Sequence, residues 1–98
     1  MVNRYNQSKK SLFAKWKDEG EYRIDEHGVA YSLDGHRLLL ARIEFKDSKY
    51  RVPEGVVTIC SMAFAICRQF VTLIIPKSVR LIGDFVFGPG GGKIVIER

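Results

Sequence analysis

Apolar and polar positions alternate over short runs along most of the chain, and this pattern predicts β-strands. The runs "VAYSL" and "HRLLLARI" flank Asp34 and Gly35. An Asp-Gly pair between two apolar runs is a strong signal for a β-hairpin with a tight I′ turn. We therefore expect a hairpin from about Val29 to Ile43, with a less regular strand around Tyr22 to Ile24 pairing on its edge.

A segment near the start, "SKKSLFAKWKDEG", has a different period and predicts a short amphipathic helix. Ser8 or Ser11 can cap its first turn, and Gly20 can end it. Its apolar stripe consists of Leu12, Phe13 and Trp16. Because such a stripe must be buried, we expect the helix to pack as a cap on the β-rich remainder.

The second half of the chain contains one unit written twice, since "RVPEGVVTICSMAF" is followed by "IIPKSVRLIGDFVF". Pro76 lies 23 positions after Pro53. At the same offset three further pairs coincide: Val56 with Val79, Ile59 with Ile82, and Phe64 with Phe87. Self-similarity at such a period is the signature of repeat architectures, in which each unit buries its apolar side chains by stacking on a neighbour.

The loop after the second copy differs from the first, because "AICRQF" is replaced by "GPGGGK". The same number of residues separates Phe87 from Ile94 as separates Phe64 from Val71, so "IVI" is expected to correspond to "VTL". The segments "YRV", "TLII" and "IVI" should then line one parallel sheet. Its candidate partner-binding side chains, expected to face outward, are Tyr50, Thr72, Ile74 and Val95.

The last of these strands, in "KIVIE", has no following repeat in this sequence. Its backbone groups and its apolar triplet would lie on an open sheet edge, and exposed edges are templates for pairing with another chain. We therefore predict a homodimer, because isologous pairs are the commonest closed assembly. The candidate self-association residues are Ile94, Val95 and Ile96.

The repeat resembles the BspA-type leucine-rich repeat, in which a strand and Ile-Pro are followed by spaced Val, Ile-Gly, Ala-Phe and Cys positions. The first copy matches at Val52, Pro53, Val56, Ile59, Ala63, Phe64, Cys67 and Phe70, and the second at Ile75, Pro76, Val79, Ile82, Gly83 and Phe87. Cys60 and Val86 depart from the motif, which has Gly and Ala there. The hairpin "GVAYSLDGHRLLLARIEF" also resembles the lead-in to such arrays.

The resemblance implies an α+β, β-rich fold: a short leucine-rich-repeat-type solenoid with an N-terminal helix and a β-hairpin cap. A single domain over 1–98 would comprise a helix and lead-in at 1–27, the hairpin cap at 28–49 and two repeats at 50–98. The resemblance also implies a non-enzymatic protein-interaction or adhesion module, surface-exposed or secreted. The start of this sequence lacks the apolar core of a secretory signal.

Composition adds a second hypothesis. With 46% hydrophobic residues the chain is typical of a globular domain, and no apolar run approaches the length of a membrane span. The net charge is +5, and basic surface is the electrostatic requirement for phosphate binding. The alternative function is therefore a basic nucleic-acid-binding domain, whose candidate residues are Arg4, Lys9, Lys10, Lys15 and Lys17.

Candidate chemistry is sparse. The spacing of Cys60 and Cys67 matches no common zinc pattern, so buried free thiols are expected. The run "GPGGGK" lacks the first glycine and the final Ser or Thr of a phosphate-binding loop. His27, His36 and Asp34 fall in or near turns, where polar residues serve solvation. We predict no catalytic residue, no metal ligand and no cofactor.

Overall fold

The structure, a computed structural model, describes residues 21–97, and this part of the chain contains strands and turns but no helix. Short runs of alternating apolar and polar residues form the strands. β-Branched and aromatic residues occupy the majority of the inward-facing positions. The strands, in chain order, are β1 (Tyr22–Ile24), β2 (Val29–Ser32), β3 (Arg37–Ala41), β4 (Lys49–Arg51), β5 (Thr58–Ile59), β6 (Val71–Ile75), β7 (Leu81–Ile82) and β8 (Gly92–Ile96).

The first sheet has five strands in the order β1-β2-β3-β5-β7. The pairs β1–β2 and β2–β3 are antiparallel, so the predicted hairpin and its edge strand are confirmed. The pairs β3–β5 and β5–β7 are parallel. The hairpin is therefore continuous with the repeat, because β3 pairs directly with the short strand of the first copy.

The hairpin turn forms where the Asp-Gly signal predicts it, but it is not a I′ turn. Only Gly35 has a positive φ, at 78°, and its N–H donates to the carbonyl of Ser32 at 2.9 Å. The Asp34 carboxylate instead accepts hydrogen bonds from the backbone N–H of His36 and from the Ser32 hydroxyl. The aspartate thus closes the turn with its side chain, and only the glycine adopts the left-handed conformation.

The second sheet is parallel, with three strands in the order β4-β6-β8, as expected for "YRV", "TLII" and "IVI". Its predicted register was wrong at the last strand. Val71 pairs with Gly92 and Leu73 with Ile94, so β8 begins two positions earlier than the repeat alignment places it. A shift by two preserves the alternation of side chains, because successive residues of a strand point to opposite faces.

The predicted α+β class, a leucine-rich-repeat-type solenoid with a helical cap, is contradicted. The described residues form two small sheets and no helix, while the predicted helix in "SKKSLFAKWKDEG" lies outside them. The segment "SMAFAIC" of the first copy forms turns, in which the N–H groups of Ala63 and Ala65 donate to carbonyls three residues earlier. Met62 has a φ of 61°, and a left-handed residue interrupts helical geometry.

The core lies between the two sheets. Phe64 is fully buried, and the ring of Phe45 meets it edge-on at 5.2 Å between centroids and meets Tyr50 at 5.6 Å. Phe64 and Phe87 form a parallel bridge across the two copies. The equivalence of these two phenylalanines in the sequence repeat is therefore confirmed in space.

Candidate functional site

The outward side of the three-stranded sheet aligns cationic and apolar side chains in two rows. Strand pairing places Lys49, Thr72 and Lys93 side by side in one row. Pairing in the next row joins Arg51, Ile74 and Val95. We call these six residues the basic-apolar face, and they share it because alternate residues of adjacent strands point to the same side.

Three of the four predicted partner-binding residues lie on this face. Thr72 and Ile74 are half-buried, and Val95 is 40% exposed. Ile74 and Val95 are direct cross-strand neighbours, although they are distant in the sequence. The structure thus brings together an apolar pair that the sequence pattern proposed from separate strands.

Tyr50 does not lie on the basic-apolar face, so its expected exposure was wrong. Only 4% of the residue is exposed, and its ring packs edge-on against Phe45. The strand pattern exposes Lys49 and Arg51 and buries the tyrosine between them. Burial stabilises this orientation because an aromatic ring gains more from leaving water than either charged neighbour would.

Positive charge dominates the basic-apolar face. Arg51 pairs with the carboxylate of Glu97 across the sheet. Lys49 and Lys93 are exposed on the two outer strands, on either side of Thr72. One cation therefore lies in the same row as the Ile74–Val95 pair and two lie in the neighbouring row, whereas the adjacent Glu97 supplies one carboxylate. This excess of positive charge favours an acidic partner that also carries apolar side chains.

The predicted self-association residues divide between the two sides of β8. Ile94 packs against the core cluster, and Ile96 points to the same side but is 65% exposed. Val95 points to the opposite, outward side. The three residues therefore do not form one apolar patch, and what they share is the open edge of the sheet.

A hydrogen-bonded chain of polar side chains connects the hairpin to β4, and no sequence motif predicted it. The Tyr50 hydroxyl donates to Oδ2 of Asp25 at 2.5 Å and also bonds the Tyr31 hydroxyl. Oδ1 of Asp25 accepts from the backbone N–H groups of His27 and Val29. Burial raises the pKa of both tyrosines, and the bond to Asp25 raises that of Tyr50 further.

His27 lies beside this chain. Its Nδ1 is 2.7 Å from Oδ2 of Asp47, and its ring meets Tyr50 edge-on at 5.5 Å. The other ring nitrogen of His27 lies 3.7 Å from the carboxylate of Glu26, so the imidazole links the turn after β1 to the connection before β4. We interpret the His27–Asp47 pair and the neighbouring tyrosine-aspartate chain as structural contacts.

The two cysteines are free, Cys67 buried and Cys60 half-buried. Burial raises the pKa of both thiols, which opposes formation of the nucleophilic thiolate. Among residues 21–97, no group of three or more His, Cys, Asp and Glu side chains is arranged to hold a metal ion.

The residues proposed for nucleic-acid binding, Arg4, Lys9, Lys10, Lys15 and Lys17, lie outside the described part of the chain. Within it, Arg42, Lys46 and Arg68 line a cleft of about 320 Å³ together with apolar side chains. Arg42 already contacts Glu44 at 3.6 Å. None of the predicted partner-binding residues lines this cleft.

No family model, curated protein or solved structure matches this chain. Over residues 21–97 there is also no helix with the length and apolar character that crossing a membrane requires.

Proposed function

We propose that the protein is a non-enzymatic interaction module that binds an acidic, partly apolar protein segment on its basic-apolar face. The observation that carries this proposal is the pairing of Ile74 with Val95 in the same row as Arg51 and next to the row that contains Lys49 and Lys93. Apolar contact supplies affinity at the centre of such a surface, and the surrounding charge selects and steers the partner.

The resemblance of the repeat to the BspA-type leucine-rich repeat supports the same class of function. Many members of that family act in protein binding and adhesion without enzymatic activity.

A labelled peptide of alternating glutamate and valine is a suitable probe, because in an extended conformation it presents acidic groups on one side and apolar groups on the other. We expect fluorescence anisotropy to show saturable binding of this peptide and none of its lysine-valine counterpart. Ile74→Glu should weaken binding about tenfold or more by placing a like charge at the centre of the face. Leu33→Glu is the matched control, because Leu33 is 56% exposed in the hairpin turn.

The nucleic-acid alternative is tested in the same assay with a single-stranded oligonucleotide. Phosphate binding would weaken steeply between about 50 and 200 mM salt. Oligonucleotide binding of that kind, unaffected by Ile74→Glu, would favour the alternative. Equal affinity of the glutamate-valine peptide for the wild-type, Ile74→Glu and Leu33→Glu proteins would reject the basic-apolar face as the binding site.

A further inference from the structure

Among residues 21–97, no strand pairs with the side of β8 that faces away from β6, and a regular set of backbone groups lies along this open side. The N–H of Val71 donates to the Gly91 carbonyl at 3.2 Å, and that of Glu97 donates to the Ile75 carbonyl at 2.8 Å. In a parallel ladder, alternate residues direct both backbone groups to the same neighbour. The backbone groups of Ile94 and Ile96 are therefore directed away from β6, toward the open edge.

The residues along this edge are complementary to themselves when a second strand runs in the opposite direction. In "KIVIE" the central Val95 has an isoleucine on each side, and a cation at one end is matched by an anion at the other. If two copies pair antiparallel about Val95, Ile94 lies opposite Ile96 of the partner subunit. Lys93 then lies opposite the partner's Glu97, in both halves of the pair.

We propose that the open edge of β8 binds β8 of a second copy of this chain, antiparallel and centred on Val95. Twofold symmetry requires two identical strands to pair antiparallel when they meet side by side. The proposed register makes hydrogen-bonded pairs of Ile94 and the partner's Ile96, whose backbone groups already face the edge. It also places Lys93 opposite the partner's Glu97 on both sides of the twofold axis. Each Glu97 carboxylate, which contacts Arg51 of its own chain, then gains a second cation, and such cross-strand charge pairs contribute to the pairing of strands.

Neighbouring registers lose this match. Centring the pair on Ile94 still places outward-directed backbone groups opposite each other, but it sets Lys93 against the partner's Val95. Centring it on Ile96 sets Glu97 against the partner's Val95. Because only the register about Val95 places each charge opposite its counter-charge, charge complementarity selects it.

The pairing also accounts for apolar side chains on the core side of β8. Ile96 is 65% exposed, whereas its neighbour Ile75 on β6 is 4% exposed. Ile75 is covered because β8 lies beside it. A second β8 would cover Ile96 in the same way, and the two three-stranded sheets would become one continuous sheet.

This inference does not rest on the proposed partner binding, and charge reversal tests it directly. Lys93→Glu places two negative charges opposite each other at both ends of the strand pair. Glu97→Lys places two positive charges there. We expect each variant alone to dimerise about tenfold or more weakly than the wild type by sedimentation equilibrium. An equimolar mixture of the two should form a heterodimer with close to wild-type affinity, because every facing pair is then opposite in charge.

Lys46→Glu is the matched control, since Lys46 is exposed in the connection between β3 and β4, and it should dimerise like the wild type. Circular dichroism melts establish that each variant is folded, and recovery of the dimer on mixing shows that both remain competent to pair. A monomeric wild type at high micromolar concentration would overturn the proposal. The proposal would also be overturned if both single variants dimerised as tightly as the wild type, or if mixing the two variants failed to restore the dimer.

Discussion

The two copies of the repeat differ in burial at positions where their sequences agree. Ile59 of the first copy is fully buried, whereas the equivalent Ile82 of the second is 42% exposed. On the longer strands, Ile75 is 4% exposed, and Ile96, which pairs with it, is 65% exposed. Similar side chains at equivalent positions therefore contribute differently to stability, according to whether another strand lies beyond them.

The difference follows from the order of the strands. The first copy lies between the hairpin and the second copy, because β5 pairs with both β3 and β7. In the five-stranded sheet the second copy has a neighbour on one side only among the described residues, so β7 is an edge strand. In the three-stranded sheet β6 is central, and β4 and β8 are the edges. In repeat structures the interface between neighbours supplies much of the stability, and the second copy has one such interface instead of two.

Phenylalanine truncation should show the largest contrast. Phe64→Ala removes a fully buried ring that contacts Phe45 and is expected to cost about 3–5 kcal/mol in unfolding free energy. Phe87 is only partly buried, so Phe87→Ala should cost about 1–2 kcal/mol. Denaturant melts of both variants measure the difference. Equal losses of unfolding free energy would mean that the two phenylalanine rings are equally buried in solution.

A second contrast concerns the close approach of the copies at Gly83. A Cβ on this residue would lie 2.3 Å from the backbone nitrogen of Ser61, and the N–H of Gly83 donates to the Ile59 carbonyl. Gly83→Ala should therefore destabilise the fold by about 1–3 kcal/mol through overpacking. Cys60 occupies the equivalent position of the first copy and already carries a Cβ.

Cys60→Ala is accordingly the matched control for Gly83→Ala. It removes one half-buried sulfur atom and should change the unfolding free energy by about 1 kcal/mol or less. A Gly83→Ala protein as stable as the Cys60→Ala protein would show that the copies do not pack as closely as the backbone distances indicate.

The smallest expected effect concerns the contact that only the first copy makes with the hairpin, through Tyr50. Tyr50→Phe removes the hydroxyl that donates to Asp25 and should cost about 1 kcal/mol. The raised pKa of Tyr50 means that the folded state keeps this proton above pH 10, where the unfolded tyrosine loses it. Stability should therefore fall as the pH rises above about 10.

Tyr50→Phe should make that alkaline decline shallower, leaving a smaller contribution from Tyr31, whose pKa is also raised. Unfolding free energies measured from neutral to strongly alkaline pH provide the comparison. An unchanged slope in the variant would show that Tyr50 ionises as readily in the folded protein as in the unfolded chain.

The features predictable from sequence were those set by local or repeated patterns. Asp34 and Gly35 between apolar runs located the hairpin, and the pairing of Pro53 with Pro76 located the parallel strands and the Phe64–Phe87 equivalence. Alternation also placed Ile74 and Val95 on one face. These signals suffice because turn chemistry and strand periodicity act over a few residues.

Other features depend on contacts between distant residues. The chain from Asp25 through Tyr50 to Tyr31 joins positions 25 and 19 residues apart, and no spacing rule relates them. The inward orientation of Tyr50 depends on the same contacts. The register of β8 could not be read from residue counts, because the glycine-containing loop reaches the sheet two residues sooner than the loop of the first copy.

The most direct test of the open edge is amide hydrogen exchange along β8, measured residue by residue at increasing protein concentration. The N–H groups of Lys93 and Val95 are directed to β6 and should be protected at every concentration. Those of Ile94 and Ile96 are directed to the open edge, and we predict that their exchange slows as concentration rises and a second β8 pairs with them. Fast exchange of both residues, unchanged at high concentration where Lys93 and Val95 remain protected, would contradict a strand-paired dimer.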